Sequence, residues 1–299
     1  MHIKPYVPEF LLFVQHGWAD DNQQMKALAR SLVTETTVII APNLGYIQTW
    51  ISITPLIELV ENIASKQIDN YSDVPIRIIG HSMGGLIWLE VLKLHPEWWS
   101  KIHSLVLIAS PVGGADLGRI IDPFGLGIGI ARDLGINRKI IAEKIAAVIP
   151  TLAIAGDIDG GSDGTIPVEC TKFPNALFTY LPGLSHAALR NHPAVVSVIS
   201  EFWLDSTIGE AIAFDEIIRR LHDVPGITDG HWRDFSKAEI LMNLNNGGTI
   251  RTWRNLLGVD HVFVASPEGQ CLYAGFVGWM HSEDLRRALE EIRQTYAVF

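Results

Sequence analysis

Six short, largely apolar runs recur along the first two-thirds of the chain. They are FLLFVQHG (Phe10–Gly17), TTVIIAPN (Thr36–Asn43), PIRIIGHS (Pro75–Ser82), SLVLIASP (Ser104–Pro111), TLAIAGD (Thr151–Asp157) and ALFTYLPG (Ala176–Gly183). Each reads as a strand, the first two as strands buried in the sheet. Helical spacing separates them. Met25, Leu28, Ala29 and Leu32 share one face between Asp20 and Val33, and further helices are predicted over Pro55–Ala64, Met83–Leu94 and Pro193–Trp203. His95-Pro96 ends the third of these, because the residue before a proline disfavours helical angles. Strands alternating with helices predict an α/β fold, a mostly parallel sheet with helices on both faces.

One segment breaks the rhythm. Gly113–Ile149 is longer than a simple crossover and carries IIDPFGLGIGIA (Ile120–Ala131), so a cap or lid over the strand ends is expected at about 113–149. Periodicity changes again after Trp203. Ile208–Leu221 looks helical, and HVFVASPEGQCLYAGFVGW (His261–Trp279) looks like a hairpin turning at Pro267-Glu268-Gly269. Ser282 is a candidate N-cap for a last helix with Leu285, Ala288, Leu289 and Ile292 on one face. The expected organisation is a domain over 1–205 and a small α+β extension over 206–299. The extension suits packing on the first domain, pairing between copies of the chain or binding a protein partner.

Composition narrows the function classes. Apolar residues make up 48% and charged residues 19%, which excludes disorder and a coiled coil. A formal charge of −10 argues against general nucleic-acid binding, which needs Lys and Arg to neutralise phosphates. Cys170 and Cys271 are too far apart in sequence for a zinc knuckle, and no H-E-x-x-H or Walker-type glycine loop is present. No metal or cofactor is therefore expected. The apolar run Phe10–Val14 is too short for a signal peptide core or a membrane span, so a soluble cytoplasmic protein is expected, without stable membrane insertion.

Gly80-His81-Ser82-Met83-Gly84 fits G-x-S-x-G and sits between a predicted strand and a predicted helix. Glycines at both ends permit a turn sharp enough to push a serine out at the sheet edge as a nucleophile. A serine hydroxyl then needs a base, and the base needs an orienting group.

Over about residues 10–204 the chain resembles the α/β-hydrolase superfamily, its lipase- and esterase-like members most closely. The resemblance rests on VQHGW (Val14–Trp18), GHSMGG (Gly80–Gly85), LIASPVGG (Leu107–Gly114), GSDGTIP (Gly161–Pro167) and LPGLSHAAL (Leu181–Leu189), in the family's order. It implies Ser82 as nucleophile and an acid after the fifth strand. Asp157, Asp159 and Asp163 lie there, and Asp163-Gly164-Thr165-Ile166-Pro167 fits best, with Thr165 in a place usually apolar. It implies His186 as base, ahead of His192, which adjoins Pro193 at a helix entrance. The oxyanion donors it implies are the backbone N–H groups of Met83 and Trp18. His81 is expected to have a structural or pocket-wall role. The implied activity is cleavage of carboxylic esters, with an acyltransferase or thioesterase using the same triad as alternatives. An α/β-hydrolase scaffold acting as an interaction module through its extension is the alternative of another class. The hairpin and helix of the extension also faintly resemble the end of thioredoxin-like folds, without the C-x-x-C that redox chemistry requires.

Overall fold

The computed structural model describes residues 7–114, 129–206, 216–267 and 269–298. Six strands, β1 (Phe10–Gln15), β2 (Thr37–Ile40), β3 (Ile76–His81), β4 (Ile102–Ile108), β5 (Thr151–Asp157) and β6 (Leu177–Pro182), form one sheet in the order β2-β1-β3-β4-β5-β6. Every pairing is parallel. Alternate residues of each strand serve opposite layers. Leu11 and Phe13 join a core with α2 (Thr54–Asn70), α3 (Met83–Leu94) and α5 (Lys139–Ala146). Leu12 and Val14 join the other, with α1 (Gln23–Leu32) and α6 (Pro193–Leu204). Each side chain fully buried this way contributes roughly 1.5–3 kcal/mol. The strand order reverses between β1 and β3, and in open α/β sheets ligands bind beyond the carboxyl ends of strands at such a point.

The expected insertion falls partly outside the described residues, since Ile120–Ala131 is described only from Gly129. The chain then forms α4 (Ile130–Gly135) and α5. Ile130, Leu134, Ala142 and Ile145 are all buried in the first core layer. Among the described residues no helix is long and apolar enough to cross a membrane.

A second, antiparallel sheet occupies the C-terminal part. β7 (Thr228–Asp229), β8 (Glu239–Asn243), β9 (Thr249–Arg254), β10 (Asp260–Ala265) and β11 (Cys271–Val277) take the order β7-β11-β10-β9-β8. β10 and β11 are the expected hairpin. β8 and β9 are not legible in the sequence, because β8 is an edge strand with a single buried residue, Met242, and β9 carries Arg251 and Arg254. The expected helix over Ile208–Leu221 is described only from Glu216, as α7 (Glu216–His222). It packs with α8 (Ser282–Tyr296), which buries Leu285, Leu289 and Ile292 against Ile250, Val262 and Val264. Ser282 is not the N-cap. It is the first helical residue, and His281 takes the cap position, bonding Asp284 Oδ2 through Nδ1 at 3.1 Å.

A buried charge fastens the two sheets. Asp229 is fully buried, pairs with Lys139 Nζ at 2.5 Å and accepts the Tyr273 hydroxyl at 3.0 Å. Burial alone would raise its pKa, but the Lys139 ammonium and His222 hold it below the ordinary carboxylate value. Burial, reinforced by that carboxylate, keeps the Tyr273 phenol well above its own. Removing one partner of a buried pair leaves the other uncompensated. Asp229→Ala is therefore expected to cost about 3–5 kcal/mol in urea unfolding.

A second ionic cluster lies near the surface. His95 bonds Glu61 at 2.8 Å and Glu97 at 2.7 Å. Burial works against its protonation, yet the two carboxylates raise its pKa overall. A raised histidine stabilises the fold fully below its ordinary value of about 6.5, and that contribution is lost as pH rises through the folded value. The stability advantage of wild type over His95→Gln is thus expected to be larger near pH ~5.5 than near pH ~8.5 by chemical denaturation.

Candidate active site

The candidate nucleophile, acid, base and oxyanion donors all lie on turns that leave the carboxyl edge of the first sheet. Ser82 follows β3 directly and has φ 55° and ψ −127°, a left-handed conformation that a β-carbon resists. Its N–H donates to the Ile108 carbonyl at 2.8 Å, which holds the turn to β4. The turn closes because Gly84 lies against the backbone of β1; a Cβ there would sit 2.4 Å from the Gln15 carbonyl. Met83 opens α3, where the first N–H groups have no acceptor inside the helix. Those donors and the helix dipole favour developing negative charge at this spot.

The turn after β1 approaches the same point. A Cβ on Gly17 would lie 2.8 Å from Ser82 Cβ and 3.3 Å from Met83 N, so only glycine lets the two turns meet. Three hydrogen bonds hold this turn. His16 Nδ1–H donates to the Gly17 carbonyl at 3.0 Å, while its Nε2 accepts the Leu44 N–H at 3.0 Å. This pattern needs a neutral ring, and burial lowers the His16 pKa accordingly. Ala19 N–H donates to Thr49 Oγ1 at 3.0 Å. Between them Trp18 packs edge-on against Trp50 at 4.3 Å.

Asp163 lies in the turn after β5 and is buried. Its Oδ1 accepts the N–H groups of Thr165 (2.9 Å) and Ile166 (2.7 Å), and its Oδ2 accepts His186 Nδ1–H at 2.7 Å. A backbone bond from His186 N to Asp163 O (2.9 Å) doubles the link. With Nδ1 donating, a neutral His186 presents Nε2 as an acceptor. The other two acids serve their own turn. Asp157 accepts the Gly160 and Gly161 N–H groups, and Asp159 accepts the Ser162 N–H and hydroxyl. His192 caps α6 by accepting the Ala194 N–H.

His81 makes a structural contact with the His186 turn. Its Nε2–H donates to the His186 carbonyl at 3.1 Å, and the two rings lie 4.7 Å apart. Burial, then the neighbouring His186, pushes its pKa well below the ordinary value, so it adds no positive charge beside His186. Asp20, near the start of α1, pairs with Arg190 at 2.9 Å and ties the β1 turn to the His186 turn. The structure thus joins Asp163 to His186, His81 to His186 and Gly17 to Ser82. No hydrogen bond links Ser82 Oγ to His186 among the described residues.

Comparison with known proteins agrees with the fold. Residues 16–124 match the PGAP1-like alpha/beta domain family. Among solved structures, the chain is similar to the Bacillus licheniformis lipase BlEst2, at 13% identity and a TM-score of 0.50, over 68% of this chain and 94% of that one. It is equally similar to the metagenome-derived lipolytic enzymes LipS and LipT, at 13% identity and a TM-score of 0.50, over 66% of this chain and 94% of the other. No curated protein matches by sequence. The chain has the α/β-hydrolase fold, of the kind found in lipases and esterases, with an antiparallel sheet added at its C-terminus.

Backbone strain at Ser82 gives a test independent of activity. A residue in this conformation costs about 1–3 kcal/mol, and glycine relieves most of it. Ser82→Gly is expected to raise the urea unfolding free energy by roughly 1 kcal/mol; a loss would count against a strained elbow.

Proposed function

We propose that the protein is a serine hydrolase that cleaves carboxylic esters through an acyl-enzyme. The observation that carries this reading is the bond from His186 Nδ1 to buried Asp163, at the same sheet edge as a serine in left-handed conformation on a G-x-S-x-G turn. In this mechanism Ser82 Oγ attacks the ester carbonyl carbon while His186 Nε2 takes its proton. The oxygen that gains charge is held by the Met83 and Trp18 N–H groups, a contribution of about 3–4 kcal/mol per donor in comparable sites. Collapse of the tetrahedral adduct expels the alkoxide, which receives the proton from His186. Water then attacks the acyl-serine by the same route in reverse, and the acid leaves. Asp163 orients His186 and stabilises the imidazolium. The serine–imidazole contact is of a kind that commonly tightens only with substrate bound.

Lipolytic activity in the names of the similar structures supports an ester or related acyl compound as substrate. Transfer to an acceptor other than water, or a thioester substrate, would use the same intermediate. Competition between water and added alcohols or thiols for the acyl-enzyme separates these outcomes.

Ser82→Ala is expected to lower hydrolysis of short p-nitrophenyl esters by roughly 10⁴-fold or more with folding intact, and to abolish labelling by a fluorophosphonate probe. Unchanged turnover would refute the assignment.

A further inference from the structure

Within the turn that carries Asp163, Ile158 N–H donates to the Ser162 carbonyl, Asp157 binds Gly160 and Gly161, and Asp159 binds Ser162. Gly183 N–H on the Asp157 carbonyl, Val168 N–H on the Gly161 carbonyl and His186 N–H on the Asp163 carbonyl tie it to the rest of its own domain. The Gly160 carbonyl at its tip is instead met by the second sheet. Trp232 Nε1–H donates to the Gly160 carbonyl at 3.1 Å. Gly161 lies so close that a Cβ there would meet Trp232 Nε1 at 2.6 Å and His231 Nε2 at 3.0 Å. His231 Nδ1 accepts the Arg233 N–H at 2.9 Å, which leaves the proton on Nε2, facing Asp159 Oδ1 at 3.9 Å.

Trp232 is itself well anchored despite its half-exposed ring. Three residues earlier, Asp229 is buried against Lys139, and its N–H donates to the Gly113 carbonyl at 2.8 Å. Thr228 Oγ1 donates to the Gly135 carbonyl at 2.9 Å, and Gly230 N–H to the Ala274 carbonyl at 2.9 Å. The acid turn is therefore gripped between His186 on its inner side and a rigid corner of the second sheet on its outer side.

We propose that Trp232, backed by His231, is a positioning residue for the reaction: the C-terminal sheet holds the 157–163 turn so that the Asp163 carboxylate stays in line with His186 Nδ1. The claim rests on the serine hydrolase reading, and it gives the extension a role inside its own chain. Small misplacements of an orienting group are costly, since a shift on the order of 1 Å can reduce turnover ~100-fold.

The test uses the full chain and two variants that act from opposite sides of the contact. Trp232→Phe keeps the ring and removes the donor; Gly161→Ala pushes the clamp off with a methyl group. Both are expected to lower kcat by roughly 10- to 100-fold with KM little changed, and the double variant to be no worse than either alone. Both are also expected to weaken or abolish the low-field ¹H resonance of the His186 Nδ1 proton, assigned by its loss in Asp163→Asn. A role in stability alone would scale activity with the folded fraction and leave that resonance in the folded protein. Wild-type kcat and an intact resonance in both variants would overturn the proposal, as would a wild type without the resonance. If wild type cleaves no ester, or Ser82→Ala still does, the serine hydrolase reading fails. The resonance then decides the positioning claim by itself: its loss in Trp232→Phe supports the coupling and its persistence refutes it.

Discussion

A parallel sheet covered on both faces delivers the carboxyl end of every strand to one edge. That constraint organises the candidate site. β1, β3, β5 and β6 release the turns bearing Trp18, Ser82, Asp163 and His186 on the same side, with the Ser82 turn and the Gly17 turn meeting where the strand order reverses. The two core layers make the edge rigid. Phe13 and Trp88 pack edge-on on one side, while Val14 and Ile79 fill the other. Turns built on so stiff a support can hold a strained serine, whose conformation no local interaction favours.

The electrostatics at that edge come from burial. His16 and His81 are both kept neutral by desolvation, so each can accept or donate in a set direction rather than repel His186. Asp163 accepts three hydrogen bonds in a buried turn, which fixes the direction of its carboxyl group. The edge thus gathers one acceptor imidazole, one oriented carboxylate and the free backbone donors of a helix start, an arrangement that serves charge appearing on an oxygen.

The second sheet meets the first through charged and polar groups. The Lys139–Asp229 pair, the Cys170 thiol donating to the Asp229 carbonyl and the Trp232 indole on Gly160 all cross that boundary. Polar contacts of this kind are directional, so they specify one relative placement where an apolar interface would tolerate several. They also touch both Gly113 and Lys139, at the two ends of the segment between β4 and α5, as well as the turn that bears Asp163.

The amino-acid sequence alone determined the six strands and the helices α1, α2, α3 and α6, because a strand in a covered sheet is largely apolar and a half-buried helix repeats every three to four residues; α4 and α5 lie in the segment expected as a cap or lid. The sequence also marked Ser82, since the glycines that permit the sharp turn are local requirements. β8 and β9 were hidden, because one is an exposed edge and the other mixes Arg251 and Arg254 into its pattern. The partners of the site residues were decided only by tertiary structure. His16 reaches Leu44 across 28 positions and His81 reaches the His186 carbonyl across 105, and the Trp232 indole finds Gly160 across 72. A hydrogen bond depends on two atoms arriving within about 3 Å at a suitable angle, and no periodicity or composition along one stretch of chain encodes where a distant stretch will pass.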